Sequence, residues 1–153
     1  MGLFKKQFVP LSQFSGDRLP RNKKEAQFMA PQYLKIANDC KNLVNTTKTP
    51  RVFFERYDLL IDEFEKLSRI EHWVKFTGQK PSAALSQIYK QRTAATNDFI
   101  DRYAEDIRIQ IKALSTEKAK TNRVKKFMDE MGKYEFCMES ENIARYKSKK
   151  FIS

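Results

Sequence analysis

A run of five basic residues, at the start of the fourth predicted helix, is the strongest chemical signal in this sequence. The run consists of Lys118, Lys120, Arg123, Lys125 and Lys126. At 100° of rotation per residue, all of them except Lys120 face away from the apolar residues of the same segment. Those apolar residues are Val124, Phe127, Met128 and Met131. Lys120 lies near the edge of the apolar side.

A basic helix face of this kind could neutralise phosphate groups without reading bases, which gives affinity that depends on salt and not on sequence. The pair Lys23 and Lys24 could add to such contacts. The alternative is a lysine-rich surface that only keeps the protein soluble. No motif of a known nucleic-acid-binding family decides between the two interpretations.

Three carboxylates on the third predicted helix could in principle form a metal site or an acid–base pair. Asp98, Asp101 and Glu105 follow one another at three and four residues, which places them on one helix face. Arg102 and Arg108 offer a simpler interpretation, because they stand four residues after Asp98 and three after Glu105. Pairs at this spacing form ordinary surface ion pairs. The sequence therefore favours ion pairs over a catalytic cluster.

Other residues that carry chemistry do not form a recognisable motif. His72 is the only histidine, so a site with two histidine ligands is excluded, and its place near a helix end favours a surface or capping role. Cys40 and Cys137 lie far apart, which favours two thiols in a reducing compartment over a zinc site. The four glycines are isolated, so the sequence has no glycine-rich phosphate loop. We therefore expect a protein that is not an enzyme and has no cofactor or metal.

Length and composition predict a single helical domain in the cytoplasm. The chain has 153 residues with only four Gly and five Pro, which suits one helical core. Lys and Arg number 30 against 19 Asp and Glu, and the net charge of +11 favours anionic partners such as nucleic acid or an acidic protein. No apolar run is long enough to span a bilayer, and the N-terminus lacks a secretory signal.

Apolar residues recur every three or four positions, which predicts an all-α bundle of four to five helices. The expected helices cover residues 31–47, 50–76, 81–114 and 116–150. We expect 81–114 to be one helix, because neither Pro nor Gly interrupts it. Pro31, Pro50 and Pro81 suit first helical positions, Gly78 is expected to end the second helix, and Ser115 with Thr116 reads as a cap.

The first predicted helix has one apolar face that we expect to pack against the core. Its members are Tyr33, Ile36, Ala37, Cys40, Leu43 and Val44. The second predicted helix carries a broader apolar stripe with several aromatic residues, which suits a bundle core. Its acids Asp58, Asp62 and Glu65 are expected to form a solvated edge.

Residues 1–30 are predicted to form an irregular arm rich in basic and aromatic residues, and 31–153 to form the helical-bundle domain. Two interpretations of the arm remain open. Its aromatic side chains cover the helical core, or the arm binds a membrane surface or a partner protein. The candidate contacts for the second interpretation are Leu3, Phe4, Lys5, Lys6 and Phe8.

The segment from Asn45 to Leu60 has distinctive sequence, which reads Asn-Thr-Thr-x-x-Pro-x-Val-Phe-Phe-x-Arg-Tyr-Asp-Leu-Leu. Related elements follow at residues 76–82, 97–103 and 114–118. Together they make residues 31–146 resemble an uncharacterised all-helical bacterial domain family. The resemblance implies that these residues form the domain and that the first 30 are a variable lead-in. It implies no activity, cofactor or partner.

We therefore expect a non-enzymatic protein-interaction or accessory module, with another protein as its partner. The alternative function is sequence-independent nucleic-acid binding through the basic helix face. Contact between the N-terminal arm and a membrane surface ranks third. The sequence leaves the partner, the pathway and the oligomeric state open.

Overall fold

The computed structural model describes residues 19–148, and 79% of them are helical with no strand. The elements are α1 (Lys23–Val44), α2 (Pro50–Ile70), α3 (Pro81–Lys112), α4 (Glu117–Gly132), a 3-10 turn (Glu135–Cys137) and α5 (Ser140–Ser148). The prediction of an all-α protein with four to five helices is confirmed. The arm residues Leu3, Phe4, Lys5, Lys6 and Phe8 lie outside the described residues.

The chain divides into two compact units, each with its own packing. Within the described residues, the first unit holds 19–46 and 52–91, and the second holds 47–51 and 92–148. Helix α3 is one uninterrupted helix, as predicted, and it contributes residues to both units. None of the helices in residues 19–148 is both long enough and apolar enough to cross a membrane.

Helix α1 begins at Lys23, earlier than the expected start at Pro31, so residues 23–30 are helical and not part of an irregular arm. Asn22 is the N-cap, and its side chain accepts a hydrogen bond from the Glu25 backbone N–H at 2.9 Å. The Glu25 carboxylate accepts in turn from the backbone N–H of Arg21 at 3.0 Å. This reciprocal cap outweighs Pro31, which removes only one backbone donor from the helix.

Helix α2 begins at Pro50 as predicted but ends at Ile70, before the expected end at residue 76. Just beyond that end, the Glu71 carboxylate accepts from both the backbone N–H and the hydroxyl of Ser82, each at 2.9 Å. Glu71 thereby satisfies one of the backbone donors at the start of α3 that have no partner within the helix. Gly78 adopts a left-handed conformation with φ 82°, as expected for a glycine, but within the loop.

The core of the first unit forms where α1 and α2 bury their apolar residues. Phe53, Phe54 and Leu67 are almost fully buried, and the rings of Phe53 and Phe54 meet edge to face with centroids 5.1 Å apart. The Tyr57 hydroxyl donates to the backbone oxygen of Ile88 at 3.0 Å, which ties α2 to the first part of α3. The prediction that the aromatic residues of α2 form a core is confirmed.

The core of the second unit contains a continuous line of aromatic rings. The centroids of Phe99 and Tyr103 are 5.7 Å apart, those of Tyr103 and Phe127 are 5.6 Å apart, and those of Phe127 and Tyr146 are 6.4 Å apart. Thr116 caps α4 by accepting from the Ala119 backbone N–H at 3.1 Å, as the sequence indicates. The aromatic line connects α3, α4 and α5 within this unit.

Candidate functional site

Six exposed polar side chains lie on one side of α4 and its C-cap, and we call them the α4 face. All six are exposed and lie within roughly 100° of the helix surface; they are Lys118, Asn122, Lys125, Lys126, Asp129 and Lys133. The other side of the helix carries Phe127 and Met131, both fully buried. Burial of these two side chains therefore determines which residues face outward.

The structure separates the five predicted basic residues into two groups. Lys118, Lys125 and Lys126 belong to the α4 face. Lys120 is half-buried near the apolar edge, as expected, with its Nζ 3.9 Å from Glu117 Oε1. Arg123 differs from expectation, because it is half-buried and its Nε donates to Gln110 Oε1 at 2.9 Å. Its long side chain reaches α3, a contact that helix periodicity alone does not reveal.

Two contacts between α3 and α4 fix the rotation of α4. One is the bond from Arg123 to Gln110, and the other joins Tyr103 to Glu130. The hydroxyl of Tyr103, which is 7% exposed, donates to Glu130 Oε1. Burial raises the pKa of Tyr103 to about 12, the bond to Glu130 acts in the same direction, and Arg123 opposes both. Tyr103 is therefore held as the neutral phenol, and Glu130 and Arg123 are directed toward α3 while the lysines stay outside.

An open groove of about 370 Å³ runs along α4. Its lining consists of Asn122, Lys125, Lys126, Asp129, Glu130 and Lys133. The three ammonium groups can donate to phosphate or carboxylate oxygens, whereas Asp129 opposes an anionic ligand. The α4 face from residue 118 to 133 extends over about 22 Å. This arrangement suits an extended anionic surface better than a small enclosed substrate.

The remaining residues that the sequence predicted as contacts belong to another helix or lie outside residues 19–148. Lys23 and Lys24 are exposed in the first turn of α1 and belong to the first unit. The candidate membrane or partner contacts in the arm precede residue 19, so they stay a prediction.

A second surface, which the sequence did not indicate, lies on α1. Three large apolar side chains are exposed there, and we call them the α1 stripe. Phe28 is 73% exposed, Ile36 39% and Leu43 42%. The sequence assigned Ile36 and Leu43 to the packing face, and that assignment is wrong. The sequence signal for the packed side of α1 is its small residues. Ala26, Ala30 and Ala37 are buried and lie on the side that packs closely.

The α1 stripe is separated from the buried side of the same helix. By helix geometry its three members fall at roughly 0–80° around α1, and the buried residues fall at roughly 120–200°. The buried residues are Ala26, Ala30, Tyr33, Ala37, Cys40 and Val44. Helix α1 therefore has two apolar surfaces, and among residues 19–148 only one of them is covered.

Buried charged residues on α2 are a further feature that the sequence did not reveal. Glu63 is fully buried, Glu55 is 4% exposed and Lys66 is 8% exposed. Lys66 Nζ lies 3.6 Å from Glu63 Oε2 and 5.0 Å from the centroid of the Tyr33 ring. The predicted edge residues Asp58, Asp62 and Glu65 are half-buried. The Lys66 contacts attach α2 to α1 behind the α1 stripe.

The thiol of Cys40 lies in the same unit, and its surroundings disfavour the reactive thiolate. Burial raises the pKa of the Cys40 thiol to about 11, with Arg56 acting in the opposite direction. The thiolate is the nucleophilic form of cysteine. Cys40 therefore serves packing between helices and not nucleophilic chemistry.

The carboxylates of α3 act in ion pairs. Glu105 pairs with Arg108, as predicted. Asp101 accepts two bonds from Arg145 of α5, from Nε at 3.0 Å and from Nη2 at 2.6 Å, and this pairing raises the pKa of Arg145. Arg102 donates to the backbone oxygen of Thr47 at 2.9 Å. Across residues 19–148, no group of three or more His, Cys, Asp or Glu side chains could hold a metal ion.

Comparisons with protein-family models, curated proteins and solved structures gave no match to this chain. The resemblance to an uncharacterised bacterial family of helical domains stays a prediction. Function therefore has to be inferred from the α4 face and the α1 stripe.

Proposed function

We propose that this protein is a non-enzymatic interaction module that binds a helix of a protein partner through the α1 stripe. The observation that carries the proposal is the exposure of Phe28, Ile36 and Leu43 on one side of a helix whose other side is packed. Covering a large apolar side chain contributes about 1.5–3 kcal/mol relative to leaving it in water. A partner helix that covers all three side chains gains most of this contribution at Phe28 and less than half of it at Ile36 and Leu43.

The spacing of the α1 stripe is suited to a helical partner. Its members are separated by eight and seven residues, so they recur on every second turn along one side of α1. Amphipathic helices recognise each other through apolar residues at such intervals. We therefore expect a partner helix that carries apolar residues at a similar spacing, with polar residues at its sides.

Helix α1 is packed on one side before any partner binds. Tyr33 and Cys40 are buried on the packed side, and Lys66 of α2 stacks over the Tyr33 ring. A surface that is already ordered loses little conformational entropy on binding, which favours affinity.

Photo-crosslinking from the α1 stripe tests the proposal in the full-length protein. A photoreactive phenylalanine analogue replaces Phe28 in cells, and the matched control carries it in place of Phe136, which is also 73% exposed. We expect a discrete protein adduct from position 28 that the control does not give and that disappears on adding Ile36→Glu. The absence of any adduct at position 28, or an equal adduct at 136, would overturn the proposal.

A second candidate function is sequence-independent binding of nucleic acid by the α4 face. The favouring observation is that Lys118, Lys125, Lys126 and Lys133 are all exposed along about 22 Å of one helix face. Four phosphate contacts predict that log K for duplex DNA falls with log salt at a slope of about −3.6. Asp129 lies within the same face and reduces the attraction.

Fluorescence anisotropy with a 20-base-pair duplex, between 50 and 200 mM salt, tests this second function. The double variant Lys125→Gln, Lys126→Gln should weaken binding and reduce the salt slope by about 1.8. The control Lys41→Gln, Lys90→Gln removes the same charge from exposed positions outside the α4 face and the α1 stripe. No binding at 50 mM salt, or an equal effect of both double variants, would exclude the α4 face as the binding site.

The proposal places this protein in the cytoplasm. Cys40 and Cys137 both carry thiols and form no disulfide, which is typical of a reducing compartment. Thiol labelling after rapid acid quenching of cells should find both cysteines reduced. An oxidised pool would contradict this location.

A further inference from the structure

The residues of the α1 stripe are arranged symmetrically along the helix. Phe28 and Leu43 are equally distant from the midpoint between Lys35 and Ile36, and so are Gln32 and Asp39. An isologous dimer uses the same surface on both copies and needs this kind of self-complementarity. We propose that the partner helix is α1 of a second copy of this chain, antiparallel to the first across a two-fold axis near Ile36. This inference rests on the proposed role of the α1 stripe in binding a helix.

The antiparallel register places apolar residues against apolar residues. Phe28 of each copy lies opposite Leu43 of the other, and these two contacts are related by the two-fold axis. Ile36 lies beside the axis, where it meets the aliphatic stem of Lys35 and the Ile36 side chain of the second copy. This arrangement covers all three exposed apolar side chains of each copy.

The same register pairs polar groups favourably. Gln32 of one copy lies opposite Asp39 of the other, so its side-chain N–H can donate to the carboxylate. Lys35 of one copy lies within about one helical turn of Asp39 of the other, which allows two symmetric ion pairs. A parallel pair would instead place Asp39 against Asp39 and Lys35 against Lys35, and like charges at these positions repel.

The charge of the chain also favours this surface for contact between copies. The whole chain carries +11, so two copies repel each other over most approaches. The charged residues beside the α1 stripe are Lys24, Glu25, Lys35 and Asp39, two bases and two acids, so this side of the helix carries no net charge. Salt screens the overall repulsion with a Debye length of about 10 Å at 0.1 M. Self-association should therefore strengthen with salt, whereas nucleic-acid binding weakens with salt.

The size of the surface predicts a weak, reversible dimer. The α1 stripe extends over about 22 Å, and packed helices lie about 8–10 Å apart. The contact therefore covers a few hundred Å² per copy, below the roughly 800 Å² per partner of stable complexes. We expect a dissociation constant on the order of 100 μM.

Sedimentation equilibrium of the purified full chain tests the dimer, between about 10 and 1,000 μM at 300 mM salt. The average mass should rise from 18.1 kDa toward twice that value. Phe28→Glu should keep the mass at that of one chain, and the equally exposed control Phe136→Glu should behave as the unchanged protein. Circular dichroism shows whether both variants remain folded. An unchanged mass across the whole range, or a dimer that persists in Phe28→Glu, would overturn the proposal.

Disulfide trapping tests the register without altering the α1 stripe. In a Cys40→Ala, Cys137→Ser background, chains with Gln32→Cys are mixed with chains with Asp39→Cys and oxidised. The antiparallel register predicts disulfides mainly between the two different chains, and a parallel register predicts them mainly between like chains. Predominance of like-chain disulfides would contradict the two-fold arrangement.

Different results would refute the interaction function and the dimer. A monomeric purified chain whose position 28 crosslinks to another protein in cells would refute the second copy and keep the interaction function. A monomeric chain that gives no adduct at position 28 would refute both.

Discussion

The side-chain amide of Asn142 donates to Oδ1 of Asn97 at 2.8 Å, and both residues are buried, at 1% and 9% exposed. The same Nδ2 donates to the backbone oxygen of Thr93 at 2.9 Å. Oδ1 of Asn142 accepts from the Glu139 backbone N–H at 3.0 Å, which starts α5. One buried side chain therefore both begins α5 and attaches it to α3.

Asn142→Ala should destabilise the protein by about 2–3 kcal/mol. The substitution leaves the half-buried Thr93 and the buried Asn97 oxygens without the Asn142 donor and removes the capping bond to Glu139. The matched control is Asn122→Ala on the exposed α4 face, where we expect a change within about 0.5 kcal/mol. Urea unfolding followed by circular dichroism measures both variants. Equal stability of the two would show that the buried contact contributes nothing.

Two glycine substitutions should change stability in opposite directions. Gly78→Ala should destabilise by about 1 kcal/mol, because φ is 82° and an added Cβ meets no atom within 4 Å, so the cost is conformational. Gly132→Ala should stabilise by about 0.5 kcal/mol, because this glycine is helical and its Cβ would lie 3.9 Å from the Tyr146 hydroxyl oxygen, an ordinary contact. Urea midpoints that shift in the same direction for both would contradict these assignments.

The two thiols should differ strongly in their reaction with an aromatic disulfide reagent at pH 8. The raised pKa of Cys40, about 11 against an ordinary 9.0, reduces its thiolate fraction about 100-fold, and burial limits access further. Cys137 is half-buried and should react first. In Cys137→Ser the remaining thiol should react only after denaturant is added. Rapid reaction of Cys40 in the folded variant would show that α1 opens readily from its packed side.

Stability should fall at high pH through Tyr103. Its folded pKa of about 12 lies above the ordinary 10.0, so its contribution is fully present below pH 10 and is lost as pH rises from 10 toward 12. Tyr103→Phe should be less stable at pH 7, because Glu130 loses a donor, and the gap to the unchanged protein should narrow above pH 10. Urea unfolding at pH 9, 10 and 11 measures this gap. A constant gap would exclude Tyr103 as the titrating group.

Local sequence signals predicted the helices well where the helix start depends on neighbouring residues. Pro50, Pro81 and Thr116 mark the observed starts of α2, α3 and α4, because their effect acts within one turn. The cap at Asn22 acts over the same short range, but Pro31 also suits a first helical position and predicts a later start. The end of α2 has no such local signal, and the Glu71–Ser82 contact just beyond it crosses a loop.

The sequence by itself determined that the chain is helical, that α3 is continuous and that the aromatic residues of α2 are buried. Periodicity decides these features because it places apolar side chains on one side of a helix. Only the tertiary structure decided that Ile36 and Leu43 stay exposed, that Glu63 is buried and that Arg123 is directed toward Gln110. The physical reason is that the helical period of the sequence predicts only the direction in which each side chain points. How much of the helix surface is covered depends on the neighbouring helices. Within residues 19–148, no neighbouring helix covers the apolar residues of the α1 stripe.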